Sequence, residues 1–330
     1  MLRGSGTVFF VLFLLVSGMC SGESHGRMAS VAISPDGKLV AVSYEKGHTS
    51  FIYKIAVETG IATRLTEAKT GAETTPAFSP DGKRIAYSYA AANQQHFRIV
   101  ITSIDGSDSH PWSLSGSDDF SPVFSPDNKT IVFGRSGYYG SYSPIAQPHS
   151  HAWNFYASDL DGGNTRQLTN ESFYSASPLS VSPDCKSMVV VTQDTDSPEK
   201  IAVYSLDHLG KPKLSLRPDI PGGSKGDQIY GFPNYLPDGK SILFMAASNG
   251  KRPWSGYDYD VYRLDLEAGM LQRLTDGNGY ATDLKVTADG KTAVFLKWRS
   301  DWHSTPVKSE LYLLNIESHK LTPIKVSGLD

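Results

Sequence analysis

Cysteine is scarce: the 330 residues hold two, Cys20 and Cys185. Two thiols cannot build a disulfide framework or a four-cysteine zinc site. Charge of one sign is also lacking. Lys plus Arg is 31 and Asp plus Glu is 34, for a formal net charge of −3. A nucleic-acid binder carries a basic stripe that neutralises phosphates, so no nucleic-acid partner is expected. Long helices are disfavoured, because 30 Gly and 19 Pro interrupt the chain throughout. No apolar run is long enough to span a bilayer. The longest, Val8 to Val16, is nine residues, too short for a hydrocarbon core of ~30 Å.

That run suits the apolar region of a secretory signal peptide, with Arg3 before it and the small residues of SGMCSGES after it. Residues 1–22 are therefore read as a signal peptide and 23–330 as one exported domain, periplasmic or secreted. The mature N-terminus is expected between Cys20 and Ser24. Cys20 opens a second route, a lipid anchor, although Met19 stands where a bacterial lipobox has a small residue. Membrane attachment is expected only through that anchor.

What the chain has in abundance is repetition. One phrase recurs as AISPDGKLVAV, AFSPDGKRIAY, VFSPDNKTIVF, SVSPDCKSMVV, NYLPDGKSILF and KVTADGKTAVF. Its aspartates are Asp36, Asp81, Asp127, Asp184, Asp238 and Asp289. Each copy reads as apolar strand, tight turn, apolar strand: Pro fixes φ, Asp bonds the backbone ahead, and Gly supplies a positive φ. Asn128 and Cys185 occupy the glycine position, so Cys185 reads as a turn residue and not as a reactive thiol. A second hairpin follows each copy, with strands such as FRIVITSI, IAVYSL and DVYRLDL. Its last strand often ends in Leu-Thr, at Leu65-Thr66, Leu168-Thr169, Leu274-Thr275 and Leu321-Thr322. Four strands per repeat predict an all-β, six-bladed β-propeller of four-stranded antiparallel blades. Its first and last blades are each expected to be complete, with no strand exchanged between them.

The SPDGK phrase, the (I/V)Y-x-x-D-L-D-G strand and turn, and R-x-L-T, as in GNTRQLT and MLQRLT, closely resemble the repeat of TolB-type propellers. The resemblance runs over essentially the whole chain after the apolar segment. It implies the fold but not one activity, because the same repeat serves exported binding proteins, propellers of prolyl oligopeptidase-like peptidases and some polysaccharide lyases.

Enzyme signals are sparse, and the expectation leans towards a protein that is not an enzyme and needs no cofactor. Gly222-Gly223-Ser224-Lys225-Gly226 fits G-x-S-x-G, yet the strand before and helix after that a nucleophile elbow requires are missing. Asp118-Asp119 and Asp258 with Asp260 read as turn and edge charges. His149 and His151 form an H-x-H pair within the insert Arg135 to Trp153. Such spacing suits metal sites, so these two are the metal candidates, with His48, His96 or His303 needed from elsewhere.

Aromatic residues gather in the connections between second and third strands: Tyr138, Tyr139, Tyr142, His149, His151 and Trp153, then Trp254 and Tyr257, then Trp298, Trp302 and His303. These connections emerge on one face of a propeller and the SPDGK turns on the other. Exposed aromatics with Arg and His suit recognition of a protein or peptide. The expected role is an exported binding or scaffold module. A metal-dependent carbohydrate-active enzyme using His149 and His151, with carbohydrate as its ligand, is the alternative.

Overall fold

A computed structural model describes residues 26–329 apart from 69, 93, 95, 114–117, 142–148, 174, 177, 194–198, 224–229, 249–257, 278 and 300–307. The signal segment with Cys20 lies outside the described residues, as do Tyr142, Ser224, Trp254, Tyr257, Trp302 and His303. Among the described residues there are strands and no helix.

The first repeat supplies β1 (Arg27–Ile33), β2 (Leu39–Lys46), β3 (Thr49–Ala56) and β4 (Ala62–Arg64). The second supplies β5 (Ala72–Phe78), β6 (Arg84–Ala90), β7 (Arg98–Ser103) and β8 (Ser109–Pro111). In the third, β9 (Asp119–Phe124) and β10 (Thr130–Arg135) are followed by a ribbon, β11 (Tyr138–Gly140) and β12 (His149–His151), then β13 (Asn154–Asp159) and β14 (Arg166–Gln167). The fourth has β15 (Ser175–Ala176), β16 (Ser180–Val181), β17 (Ser187–Gln193), β18 (Lys200–Ser205) and β19 (Leu214–Leu216). Then come β20 (Tyr230–Tyr235), β21 (Ser241–Ala247), β22 (Tyr259–Asp265) and β23 (Leu271–Arg273), and last β24 (Tyr280–Val286), β25 (Thr292–Arg299), β26 (Lys308–Asn315) and β27 (Leu321–Ile324).

Within each repeat the strands form an antiparallel meander, the blade of a β-propeller. The blades are not all separate four-stranded sheets. A single parallel bridge, Ser50↔Ala72, joins the first two repeats into one eight-stranded sheet, and the fourth repeat has five strands. The fifth strand has a physical cause. Inner strands β5, β9, β20 and β24 each bulge at a residue in left-handed conformation, Thr75, Ser121, Phe232 and Asp283. The same offset from the turn aspartate falls on Pro178 in the fourth repeat. Proline holds φ near −65° and cannot bulge that way, and the inner strand there is broken into β15 and β16.

The innermost strands pack in a closed cycle: β1 on β5, β5 on β9, β9 on β16, β16 on β20, β20 on β24, and β24 back on β1. Backbone amides sew the seams, with Thr75 N–H donating to Ser30 Oγ (3.0 Å) and Ser121 N–H to Ser88 Oγ (3.0 Å). The closing seam uses a carboxylate, Val31 N–H to Asp283 Oδ2 at 3.1 Å. Period-two alternation feeds two cores from one strand. Leu243 and Met245 of β21 pack towards β24 and β25, while Ile242, Phe244 and Ala246 pack towards the fourth repeat. Each of the larger side chains among these contributes about 1.5–3 kcal/mol on full burial. The first and last meanders each draw all their strands from contiguous chain, so no strand is exchanged, as expected.

The turn phrase works as its residues predict. Ser34 Oγ–H donates to Asp36 Oδ1 (2.7 Å), Lys38 N–H donates to the same oxygen (3.1 Å), and Leu39 N–H donates to Ser34 Oγ (2.9 Å). Asn128 and Cys185 take the left-handed conformation that glycine has elsewhere, with φ of 60° and 59°. Burial pushes the Cys185 thiol up, away from thiolate chemistry.

Candidate functional site

Among the described residues of the loop face, the insert of the third repeat forms a two-stranded ribbon. Ribbon register sets Tyr138 opposite His151, Tyr139 opposite Ser150 and Gly140 opposite His149. Because directly paired residues share a face, Tyr138 and His151 lie on one side and Tyr139 and Ser150 on the other.

On the first side Tyr138 is 52% exposed and stacks on His151, ring centroids 5.9 Å apart at 24°. His151 itself is fully buried, and its Nε2 lies 3.1 Å from the Gly140 carbonyl, to which the ring N–H donates. The Tyr138 ring folds over Gly140, so a Cβ there would meet its hydroxyl at 2.2 Å and push the ring aside. On the second side Ser150 donates its hydroxyl to Asp118 Oδ2. Phe97 N–H donates to Asp118 Oδ1 at 2.9 Å, and His96 Nδ1 stands 4.0 Å from Oδ2. The His96 ring meets Tyr139 edge-on, centroids 5.4 Å apart. Burial first, then the Asp118 charge, raises the Tyr139 pKa.

Beneath the ribbon, Trp153 is half-buried and packs against the core shared with the fourth repeat. Its Nε1–H donates to Ser150 O (3.2 Å), and its ring lies 6.2 Å from Phe120. The two adjacent acids have separate fates. Asp119 is fully buried and holds Arg135 in a bidentate pair at 2.6 and 2.9 Å. That bond is the main cause of the raised Arg135 pKa. Asp260 is also a buried node, bonded by Ser248, Arg273 and Thr275. Neither is arranged as one half of an acid–base pair.

The structure brings together Tyr138, Tyr139, His151 and Trp153, and it adds His96, Asp118 and Ser150. His96 meets the ribbon face of Tyr139, whereas His151 is on the face of Tyr138, so these two histidines do not converge on one point. Among the described residues no group of three or more His, Cys, Asp or Glu is placed to hold a metal ion. Trp298 sits apart from the ribbon. It is half-buried, with the Arg27 guanidinium 5.0 Å from its ring centroid and Tyr280 edge-on at 5.8 Å. The pairing of Arg135 with Asp119 was only partly within reach of sequence reasoning, since it takes the bulge at Ser121 to shift the hairpin register by one residue and set them opposite each other. His96 was not, because it arrives from the second repeat.

Comparison with known proteins bears on the fold. The structure is similar to TolB from Acinetobacter baumannii, at 19% identity and TM-score 0.59, over 93% of this chain and 65% of that one. It is similar to a putative TolB from Agrobacterium tumefaciens, at 17% identity and TM-score 0.60, over 82% and 86%. An oligogalacturonate lyase in complex with manganese also matches, at 15% identity and TM-score 0.56, over 89% and 75%. At these identities the likeness is one of fold. No curated protein matches the chain in sequence. The family model of the TolB beta propeller domain matches residues 12–220, more than half of the 330. This chain therefore belongs to the TolB β-propeller family.

Proposed function

We propose that this chain is an exported, six-bladed binding module that recognises a protein or peptide partner through its loop face. One blade is assigned to each copy of the turn phrase, an assignment supported by the cyclic packing of the inner strands. Residues 1–22 act as its signal peptide and 23–330 as the propeller, placing it in the periplasm or outside the cell, with Cys20 as the one lipidation candidate. The observation that carries the binding role is the ribbon. It presents a half-exposed Tyr138 on a hydrogen-bonded strand pair, with buried His151 behind it and the Tyr139, Asp118 and His96 group on its other side. Aromatic anchors held rigid lose little entropy on binding and bury much apolar area.

Tyr138, Tyr139 and His149 line this surface, buried His151 and half-buried Trp153 support it from beneath, and Trp254, Tyr257, Trp302 and His303 extend it. Trp298, packed under Arg27 and against Tyr280, is assigned to the support of the closing seam. Capture of a partner from envelope extract on immobilised full chain tests the reading. Tyr138→Ala is expected to weaken a captured partner's affinity ten-fold or more while leaving the thermal midpoint in place. An unchanged affinity overturns the assignment of this surface. Metal titration addresses the alternative: tight, stoichiometric Mn²⁺ or Zn²⁺ binding lost in His149→Ala would favour the metal-dependent carbohydrate-active enzyme.

A further inference from the structure

Two buried carboxylates in this fold are paired with an arginine. Asp119 has Arg135 at 2.6 Å, and Asp260 has Arg273. Asp118, in common with Glu73, Glu199 and Asp283, has no such partner among the described residues. It is 5% exposed, yet among the described residues no lysine or arginine lies within 4.0 Å of its carboxylate. Its partners are the Phe97 amide, the Ser150 hydroxyl and the more distant His96 ring. A carboxylate taken out of water without a fixed counter-charge is costly, and it leaves negative potential at the surface it faces.

That surface is aromatic. The His96 side chain, about half exposed at 53%, and the ring of Tyr139 stand beside Asp118. A carboxylate beneath aromatic rings is the arrangement that attracts a positive group twice, through direct charge and through the ring quadrupole. We propose that the recess between His96, Tyr139 and Asp118 receives a cationic side chain, the guanidinium or ammonium of an arginine or lysine on the partner. This rests on the reading of the loop face as a peptide-binding surface and names the chemistry that it selects. Ser150 and the Phe97 amide hold Asp118 in place, so the carboxylate is oriented before the ligand arrives.

The test uses the full chain at pH 8. Binding of acetyl-Gly-Arg-Gly-amide is compared with that of acetyl-Gly-citrulline-Gly-amide, a neutral peptide of nearly the same shape, by isothermal titration. The arginine peptide is expected to bind at least ten-fold more tightly, and the preference is expected to shrink with added salt. Asp118→Asn is expected to abolish it. Tyr139→Leu, which leaves the carboxylate untouched, is expected to weaken the arginine peptide several-fold, and it carries the test if Asp118→Asn fails to fold. Equal binding of the two peptides, no binding of either, or a preference that survives in both variants overturns the proposal. So does stoichiometric displacement of the arginine peptide by Mn²⁺, which would make the recess a metal site. A partner that is captured through Tyr138 but is indifferent to Asp118→Asn would leave the binding role standing and remove this inference alone.

Discussion

Each turn aspartate is the hub of its own hairpin. A hydroxyl from the residue two before it is the main reason that the carboxyls of Asp36, Asp81, Asp127, Asp184 and Asp289 are held below the usual range. A carboxyl depressed in the folded state stabilises the fold above its unfolded pKa, and that contribution is lost as pH falls through the folded value. Asp184→Asn is therefore expected to lower the thermal midpoint at pH 7, with the gap to wild type closing as the pH approaches 3. Glu199 runs the other way. Burial raises its pKa to about 7, and the Tyr230 N–H donated to it at 2.8 Å offsets this only in part. Its contribution is present below the ordinary glutamate value near 4 and is lost as pH rises through about 7. Glu199→Gln is expected to stabilise the protein at pH 8, by up to about 3 kcal/mol at roughly 1.4 kcal/mol per unit, and to change little at pH 4. Denaturant titrations at the two pH values decide it. For Trp298 the packing under Arg27 and against Tyr280 predicts that Trp298→Ala costs about 2–4 kcal/mol and spares partner affinity. A binding defect with no stability loss would contradict that account.

At the scale of elements, the Leu-Thr ending has a stated task. Thr66, Thr169 and Thr275 each accept an outer-strand amide on Oγ1, from Ile52, Phe155 and Val261. Behind the hydroxyl stands a buried acid or amide: Glu73, Asn154 and Asp260. Asp260→Ala is expected to cost about 3–5 kcal/mol, because it leaves these donors buried and unanswered. Arg273→Ala removes the counter-charge of a buried carboxylate but leaves the Ser248 and Thr275 hydroxyls bonded to it, so it is expected to cost less than Asp260→Ala. Equal losses by chemical denaturation would show that the charge, and not the buried hydrogen bonds, holds this corner. Some of this was legible in the sequence and some was not. The turns were, since Ser, Asp and a left-handed residue act locally. Leu321-Thr322 misleads: Leu321 pairs with Leu314 at the start of β27, and Ile324 takes the place that Leu274 has in the fifth repeat. The bulges at Thr75, Ser121 and Phe232 precede a proline and were written in the chain, but only pairing register shows them. The site was half legible. The ribbon residues share one insert, whereas His96 and Asp118 reach it from another blade and a seam, contacts that no local pattern encodes.

At the scale of the whole molecule the ring is closed twice. Near the axis Asp283 accepts from Val31, and at the rim the C-terminal tail lies along the outer strand of the first repeat. Ala62 N–H donates to Ser327 O (2.8 Å), and Ser327 N–H donates to Gly60 O (3.0 Å). The approach is close enough that a Cβ on Gly60 would meet Lys325 O at 2.0 Å. Val326 and Leu329 pack on the core of the closing seam. Removing residues 325–330 is expected to lower the thermal midpoint by several degrees and to raise amide exchange in β3 and β4 before it rises elsewhere. Uniform exchange throughout the ring would mean that the tail closes nothing. The two faces of the ring differ in kind, one built of short uniform turns and the other carrying the aromatic ribbon, and the account places binding on the second. Photo-crosslinking tests that claim most directly, with a benzophenone side chain placed either at Tyr138 on the ribbon or at Lys129 on the turn face, and the full chain exposed to envelope extract. One defined adduct is expected from position 138 and none from position 129. An adduct from 129 with none from 138 would contradict it.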